Sequence, residues 1–329
     1  MAAIAEPAGA AGAASDPTPL FLLSLPRSGS TLLQRVLATH PEVGTVPEPW
    51  LLLPQLYARR GAGVYAEYGY GPSSRAIDAF ADGLPGGSDA YDRELREFVL
   101  HLYRLAAGGA PYFLDKTPRY HLVADELITL FPEAKVVVLW RNPLAVVASI
   151  VETWAGGRWT FGRWHVDLHE GLESLVRAAG RHAGQVHSVR FEDLVREPDS
   201  SWPGLMRYLD LPHDPAVLTS FAETSLESRM GDATGTRAYR ELSTEPLEKW
   251  RRTFSNPLRR DWGRRYLRWI GEERLAVMGY DLACLLDELS EAPSSVRMLG
   301  SDTWRTAYAG AVRRRRDRAF HLLTKRGRW

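Results

Sequence analysis

Residues 20–49 read LFLLSLPRSGSTLLQRVLATHPEVGTVPEP. Leu20 to Leu25 is almost wholly apolar, too short for a helix and followed by Pro26, so it reads as a buried parallel strand. Pro26-Arg27-Ser28-Gly29-Ser30-Thr31 is a tight polar turn. Leu32, Leu33, Val36 and Leu37 then recur at helical spacing, so a helix starts near Ser30 and stops by Pro41. Strand, Gly/Ser turn and helix N-terminus make an anion site, because the first-turn N–H groups are free and the dipole favours negative charge. Gly29 lets backbone approach the anion closely. Ser28, Ser30 and Thr31 add hydroxyl donors, and Arg27 adds a forked positive charge. The Walker A pattern G-x-x-x-x-G-K-[ST] is absent. By itself the stretch also fits an ordinary Ser/Gly turn capped by Ser30.

The whole chain has 329 residues, enough for one large α/β domain or two small ones. Hydrophobic residues make up 45% and charged residues 25%, as in ordinary soluble globular proteins. A formal net charge of +1 gives no argument for nucleic-acid binding. The single cysteine, Cys284, excludes a disulfide framework or a multi-cysteine metal site within one chain. Residues 1–18, rich in Ala, Gly and Pro, lack a basic start and a long apolar run, so they read as a disordered tail rather than a signal peptide. No stretch approaches the ~20 apolar residues of a membrane span. These features imply a soluble, cytoplasmic protein, and the abundance of Ala, Gly and Arg suggests a bacterial, GC-rich source.

Further along, Trp50 to Tyr57 fits a short helix, and Gly61 to Ser88 reads as loop from its Gly, Pro, Ser and Tyr content. Tyr91 to Ala107 carries Leu95, Phe98, Val99, Leu102 and Leu105 at helical spacing and ends at Gly108-Gly109. An irregular segment beside a phosphate loop is often a lid, so residues 50–110 are expected to be an acceptor-side insertion. Tyr112 to Leu114 is a short strand, and a helix follows from about Arg119 to Leu130. Lys135 to Trp140, KVVVLW, is the clearest buried strand. Arg141-Asn142-Pro143 leaves it and opens a helix from Leu144 to about Trp154. Val166 to Ala183 is helical in pattern, Val186 to Phe191 is a strand, and Pro203 to Leu209 is a short helix. Thr224 to Pro246 reads as loop, and Pro257 to Met278 as a helix or helix pair. Residues 290–329 form a basic C-terminal segment with Arg313 to Arg316, Lys325, Arg326 and Arg328.

Recurring strand–turn–helix units predict an α/β domain over residues 19–289, with a mostly parallel sheet between two helix layers. Ligands then sit beyond the carboxyl ends of the strands. Three polar turns fall there: Arg27 to Thr31, Asp115 to Thr117, and Arg141-Asn142. With Arg27, Lys116 and Arg141 they suit a ligand bearing more than one anionic group. The strand KVVVLW ends in Arg141, where a P-loop NTPase would offer an acid to hold Mg²⁺. Cationic side chains must then neutralise the transferring group, which fits a singly charged sulfuryl group better than a metal-bound triphosphate.

These motifs resemble the sulfotransferases that use 3′-phosphoadenylyl sulfate (PAPS), in the branch of tyrosylprotein sulfotransferases and many bacterial members. The resemblance runs from Leu20 to about Tyr280. Pro26 to Leu32 matches the family's 5′-phosphosulfate loop, including Arg27, Ser28, Gly29, Ser30, Thr31 and Leu32. Arg141 and Ser149, eight apart, match its 3′-phosphate pair and stand about two helical turns from each other. Asp115-Lys116-Thr117-Pro118 and Phe191-Glu192-Asp193-Leu194 are also habitual there. The resemblance implies a P-loop-like three-layer α/β/α domain with a helical acceptor-side lid. It also implies in-line displacement at sulfur, without metal, that releases adenosine 3′,5′-bisphosphate.

Such a reaction needs a base for the acceptor's proton, positive charge on the sulfuryl oxygens and help for the leaving phosphate. Glu48, 21 residues after Arg27, stands where the tyrosylprotein branch carries its catalytic Glu and is the expected base. A capping or salt-bridging Glu is the alternative. That branch also places a second acid and an Arg beside its Glu, whereas Pro49-Trp50 follows here, so the acceptor is not expected to be handled as a peptide tyrosine is. Arg27 suits the sulfuryl and 5′-phosphate oxygens, and Lys116 suits the bridge to the leaving oxygen unless it is a solvated turn lysine. Ser149 has a mid-helix alternative, bonding back to a carbonyl.

His40 is the other candidate base, though at a helix end it can cap carbonyls instead. His165 and His169 share a helix face but lack the H-E-x-x-H pattern of a zinc protease. Arg237, Ser243 and Lys249 are candidates to cover the nucleotide. Trp154, Trp159, Phe161 and Trp164 read as packing, or as aromatics that stack on a sugar or flat acceptor. The expected partner is a small-molecule or glycan acceptor, with a homodimer left open. An ATP-dependent phosphotransferase and a non-catalytic or repurposed relative of the same fold are the competing readings.

Overall fold

The computed structural model describes residues 15–160, 162–221 and 243–307. The chain opens with β1 (Thr18–Ser24), α1 (Ser30–Leu37) and β2 (Val43–Thr45), then α2 (Leu52–Tyr57), α3 (Tyr70–Asp82) and α4 (Gly87–Ala107). β3 (Tyr112–Asp115), α5 (Ala124–Leu130), β4 (Lys135–Trp140) and α6 (Pro143–Trp154) follow. After them come α7 (Leu172–Arg181), β5 (Val186–Arg190), α8 (Phe191–Arg196) and α9 (Pro198–Tyr208). The last long elements are α10 (Pro257–Val277) and α11 (Leu282–Ser290). The five strands form one parallel sheet in the order β2-β3-β1-β4-β5.

β1 and β4 lie in the middle of the sheet, which is why their sequences are apolar throughout. Side chains alternate across it. Phe21, Leu23, Val136, Val138 and Trp140 face a core with α4, α5, α6 and α7. Leu20, Leu22, Val137 and Leu139 face the other core, with α1, α8 and α9. Helices thus cover both faces. β1 continues through α1 toward β2 at one edge, and β4 continues through α6 toward β5 at the other. The crevice beyond the carboxyl ends of β1 and β4 is therefore the topological switch point, where open α/β sheets bind ligands.

Three differences from the sequence reading have physical causes. Residues 61–88 are not all loop: α3 forms inside them, buries Ser74 and Ala81, and tolerates Pro72 in its first turn, where no N–H is needed. β2 escapes the pattern because it is a three-residue edge strand. In α4 the buried stripe is Val99, Leu100, Tyr103 and Ala107, whereas Phe98 and Leu105 face outward. Elsewhere KVVVLW is β4 residue for residue, and α10 breaks at Gly271, whose φ of 80° interrupts the helix. Residues 299–307 are helical and attached to the body, because Asp302 is fully buried against Arg259 at 2.7 Å. The arginine run beyond them and residues 1–14 of the N-terminal tail lie outside the described residues. Among the described residues no helix is long and apolar enough to cross a membrane.

Candidate active site

The turn after β1 is closed by Ser28 N–H donating to the Leu25 carbonyl (3.3 Å) and Leu32 N–H donating to that of Gly29 (3.0 Å). Gly29, with φ 95°, precedes the first residue of α1, and no side chain caps that helix start. The cap position is thus held by Gly29 and not by Ser30, which is the first residue of the helix. Ser28, Ser30 and Leu32 are buried, and Thr31 is half-buried. A Cβ on Gly29 would lie 2.4 Å from two ring carbons of Phe191, so glycine is required by space as well as by φ.

Arg141, at the end of β4, braces this turn. Its guanidinium donates to the Arg27 carbonyl at 2.8 Å and lies 4.8 Å from the Phe191 ring centre. It also donates to the Pro246 carbonyl at 3.2 Å. Asn142 accepts from Leu144 N–H at 2.9 Å and starts α6, with Pro143 in its first turn. α6 carries Ser149 back toward the cradle, where its hydroxyl accepts from Arg27 Nε at 3.2 Å. The matched Arg27, Arg141 and Ser149 thus converge.

Phe191-Glu192-Asp193-Leu194 explains itself in the same place. Phe191 lies under Gly29 and Arg141. Glu192 accepts from Asn142 N–H (3.0 Å) and Tyr280 O–H (2.6 Å), Asp193 pairs with Arg190 (2.6 Å), and Leu194 is core.

The third turn brings Lys116 to Glu48. Their side chains meet at 2.7 Å with relative exposures of 4% and 8%. A lysine this buried is not the solvated turn residue of the alternative reading, and pairing offsets the desolvation of both charges. Lysine has three N–H donors, so Lys116 keeps two for a ligand while holding Glu48. Next to it, Asp115 is fully buried and accepts from Tyr103 O–H (2.6 Å), Tyr120 O–H (2.9 Å) and Thr117 O–H (3.0 Å). Burial pushes its carboxyl up to about 6, against the lowering effect of those three donors and Lys116. Of the five non-glycine residues with left-handed φ among the described residues, three lie here, Arg27 (67°) in the cradle turn and Glu48 (40°) and Trp50 (56°) in the segment that Lys116 and Thr117 contact. Each costs roughly 1–2 kcal/mol, and such strain gathers at functional sites.

His40 lies at the far end of α1, about 12 Å of helix from the cradle by the rise per residue. It is buried, and its Nδ1 accepts from Glu42 N–H at 3.2 Å, so it is structural. His121 is also buried, between the Pro118 carbonyl (2.7 Å) and Asp167 (3.1 Å). His165 and His169 stack at 3.9 Å, as their spacing predicts. Among the described residues no group of three His, Cys, Asp or Glu is placed to hold a metal ion. Trp159 is core, but Trp154 is 42% exposed, stacks on Trp164 at 5.4 Å and has the Arg27 guanidinium 5.6 Å from its ring centre.

Lys249 pairs with Glu245 at the surface (3.0 Å), and Ser243 accepts from Glu245 N–H (3.3 Å). From that segment it is the Pro246 carbonyl that touches Arg141. Arg237 and Phe161 lie outside the described residues. One supporting residue is unread from sequence: buried Gln34 donates to Thr45 Oγ1 (2.9 Å) and the Val46 carbonyl (3.2 Å), and so fixes the path to Glu48. A polar residue amid the apolar pattern of α1 is its only sequence signal.

Residues 19–215 match the family model described as the sulfotransferase family. This chain belongs to that family. It is 31% identical over 267 residues to nodulation protein NoeE of Sinorhizobium fredii, which covers 72% of this chain. The chain spans 61% of the length of that relative. It is 24% identical to protein-tyrosine sulfotransferase 1 of Danio rerio, over 80% of this chain and 72% of that one. Among solved structures, the sulfotransferase domain of the Synechococcus olefin synthase is similar at a TM-score of 0.50 and 26% identity, over 73% of this chain and 90% of that one.

Proposed function

We propose that this protein moves a sulfuryl group from PAPS to a hydroxyl of a small molecule, glycan or lipid. The observation that carries the reading is the meeting of the buried Lys116–Glu48 pair (2.7 Å) with a cradle built by Arg27, Gly29, Arg141 and Ser149. Family membership makes the reaction class a transfer of sulfate, and the polar set fits its charges. Arg27, the cradle N–H groups and the hydroxyls of Ser28, Ser30 and Thr31 suit the sulfuryl and 5′-phosphate oxygens. Arg141 and Ser149 suit the 3′-phosphate.

In the transfer the acceptor oxygen attacks sulfur in line, and the bond from sulfur to the bridging oxygen breaks. Adenosine 3′,5′-bisphosphate leaves with that electron pair. Glu48 takes the acceptor's proton, and Lys116 neutralises charge growing on the bridging oxygen. Arg141 stands where a metal-dependent nucleotide enzyme would place an acid, which supports a donor site that needs no metal. Exposed Trp154, stacked on half-buried Trp164 beside Arg27, supports an acceptor with an apolar or sugar face. A cytoplasmic location and a bacterial source rest on composition.

Calorimetric titration with adenosine 3′,5′-bisphosphate, beside ATP and ADP and without metal, tests the donor. The bisphosphate should bind and Arg141→Ala should weaken that binding more than about tenfold. A preference for ATP would sink the reading.

A further inference from the structure

The turn that carries Glu48 is held in a conformation it would not choose. Glu48 and Trp50 both have left-handed φ, at 40° and 56°, and neither is glycine. Two backbone donors of this turn end on side-chain hydroxyls. Trp50 N–H donates to Thr117 Oγ1 at 3.2 Å, and Leu52 N–H donates to Tyr120 OH at 3.1 Å. An amide N–H can only donate, so both hydroxyls accept there and must donate elsewhere. Both donate to Asp115: Thr117 to Oδ1 at 3.0 Å and Tyr120 to Oδ2 at 2.9 Å. An ionised carboxylate accepts only, so it fixes the direction of both relays. Lys116, the next residue in the chain, holds the Glu48 carboxylate itself at 2.7 Å.

We propose that Asp115 is a positioning residue: through Thr117 and Tyr120 it pins the backbone at Trp50 and Leu52 and so sets the Glu48 carboxylate against Lys116. The functional part of this inference rests on the assignment of Glu48 as base. Without the two relays, φ at Glu48 and Trp50 is free to return to the common regions, and the carboxylate leaves its place. Asp115 bears no contact to the cradle among its hydrogen bonds, so its effect reaches the site through this turn. The carboxyl, raised to about 6 by burial, is costly to keep ionised in the interior, and a purely apolar tie between β3 and α4 would avoid that cost.

The test uses the full-length protein and its Thr117→Val, Thr117→Ser and Tyr120→Phe variants. Each leaves the Tyr103–Asp115 hydrogen bond in place. Amide hydrogen exchange is followed across residues 48–52 and across β1 and β4, together with the Kd for adenosine 3′,5′-bisphosphate. Thr117→Val should speed exchange at Trp50 by about tenfold or more, as loss of one buried hydrogen bond implies. Exchange in β1 and β4 and the Kd should stay within about twofold, by the same distance from the cradle. Thr117→Ser should restore protection, and Tyr120→Phe should release Leu52 in the same way. Unchanged exchange at Trp50 in Thr117→Val, or acceleration spread evenly over the chain in both variants, overturns the proposal. A wild-type protein that does not bind the bisphosphate overturns the donor reading instead, and the exchange data still decide what holds the turn.

Discussion

Gly29→Ala is the sharpest perturbation of the cradle. Two costs can be worked from the structure. Alanine at φ 95° sits in the left-handed region, at roughly 1–2 kcal/mol. Its Cβ would also lie 2.4 Å from two carbons of the Phe191 ring, about 1 Å inside ordinary contact. That ring is 1% exposed and has the Arg141 guanidinium 4.8 Å from its centre, so it has no open space to yield into. Overpacking of this kind costs about 1–3 kcal/mol. The sum, about 2–5 kcal/mol, should lower Tm by on the order of 10 °C. It should also displace Arg141, which braces the Arg27 carbonyl, and weaken bisphosphate binding by more than about tenfold. Thermal unfolding and calorimetry read both effects. Phe191→Val removes the ring carbons concerned, so in that background Gly29→Ala should cost only its left-handed part. An equal cost in both backgrounds would show that the ring is not the obstacle. A Gly29→Ala protein that melts and binds like wild type would refute the cradle geometry altogether.

Arg141→Ala should weaken binding of adenosine 3′,5′-bisphosphate by about 1.5–3 kcal/mol, more than tenfold, through loss of a charge-assisted contact and of the brace on Arg27; unchanged affinity in the titration would separate Arg141 from the donor site. Glu48→Gln should keep that affinity and lose turnover with PAPS and a panel of hydroxyl acceptors by about a hundredfold or more, and EDTA should not abolish the wild-type rate; an active Glu48→Gln enzyme removes the base assignment. For Asp115 the folded-state carboxyl, raised to about 6 by burial beside Tyr103, Thr117, Tyr120 and Lys116, lies above its ordinary value, so its stabilising contribution is full below about pH 4 and is lost as pH rises through about 6. Unfolding free energies from denaturant titrations should fall by an extra ~2 kcal/mol between about pH 4.5 and 7.5 in wild type relative to Asp115→Asn; identical slopes would contradict the shift.

What was legible in the sequence follows from how local each signal is. β1 and β4 announce themselves because a strand covered on both faces needs apolar residues at every position, and LFLLSL and KVVVLW supply them. The cradle is legible because strand end, turn glycine and helix start are adjacent in the chain. Arg141 and Ser149 are paired in sequence by the family resemblance, and in the structure both contact Arg27. α3 is hidden because Gly69, Gly71 and Pro72 at its start look like punctuation, and its stability comes from packing rather than pattern. β2 is hidden because Gly44, mid-strand, is there for close approach: a Cβ would lie 2.7 Å from the Ala107 carbonyl oxygen. The partnership of Glu48 with Lys116 spans 68 residues, and that of Trp50 with Thr117 spans 67. Neither follows from spacing. A motif such as Asp115-Lys116-Thr117 names its residues in sequence, but their division of labour is decided by which turn arrives opposite them.

The three turns share one construction, and it bears on how the site would bind. Each makes a polar contact with a segment distant in sequence: Arg141 reaches the Arg27 carbonyl, Lys116 and Thr117 reach Glu48 and Trp50 after β2, and Glu192 after β5 reaches Asn142 N–H. Glu192 is turned to the protein itself, its two oxygens accepting from Asn142 N–H and from Tyr280 O–H. The segments leaving β1, β4 and β5 are thereby linked to one another, and the segment leaving β3 is linked to the one leaving β2. Left-handed φ at Arg27, Glu48 and Trp50 is offset by these cross-links. A donor entering such a site need not order the turns, so little of its binding energy is spent on loop entropy. The opposite holds on the Trp154 side, where Trp154 is exposed and the Arg27 guanidinium lies over its ring. Under the proposed function, the cross-linked turns would hold the donor and the exposed Trp154 side would be left to the acceptor, the part of a shared fold that varies with substrate.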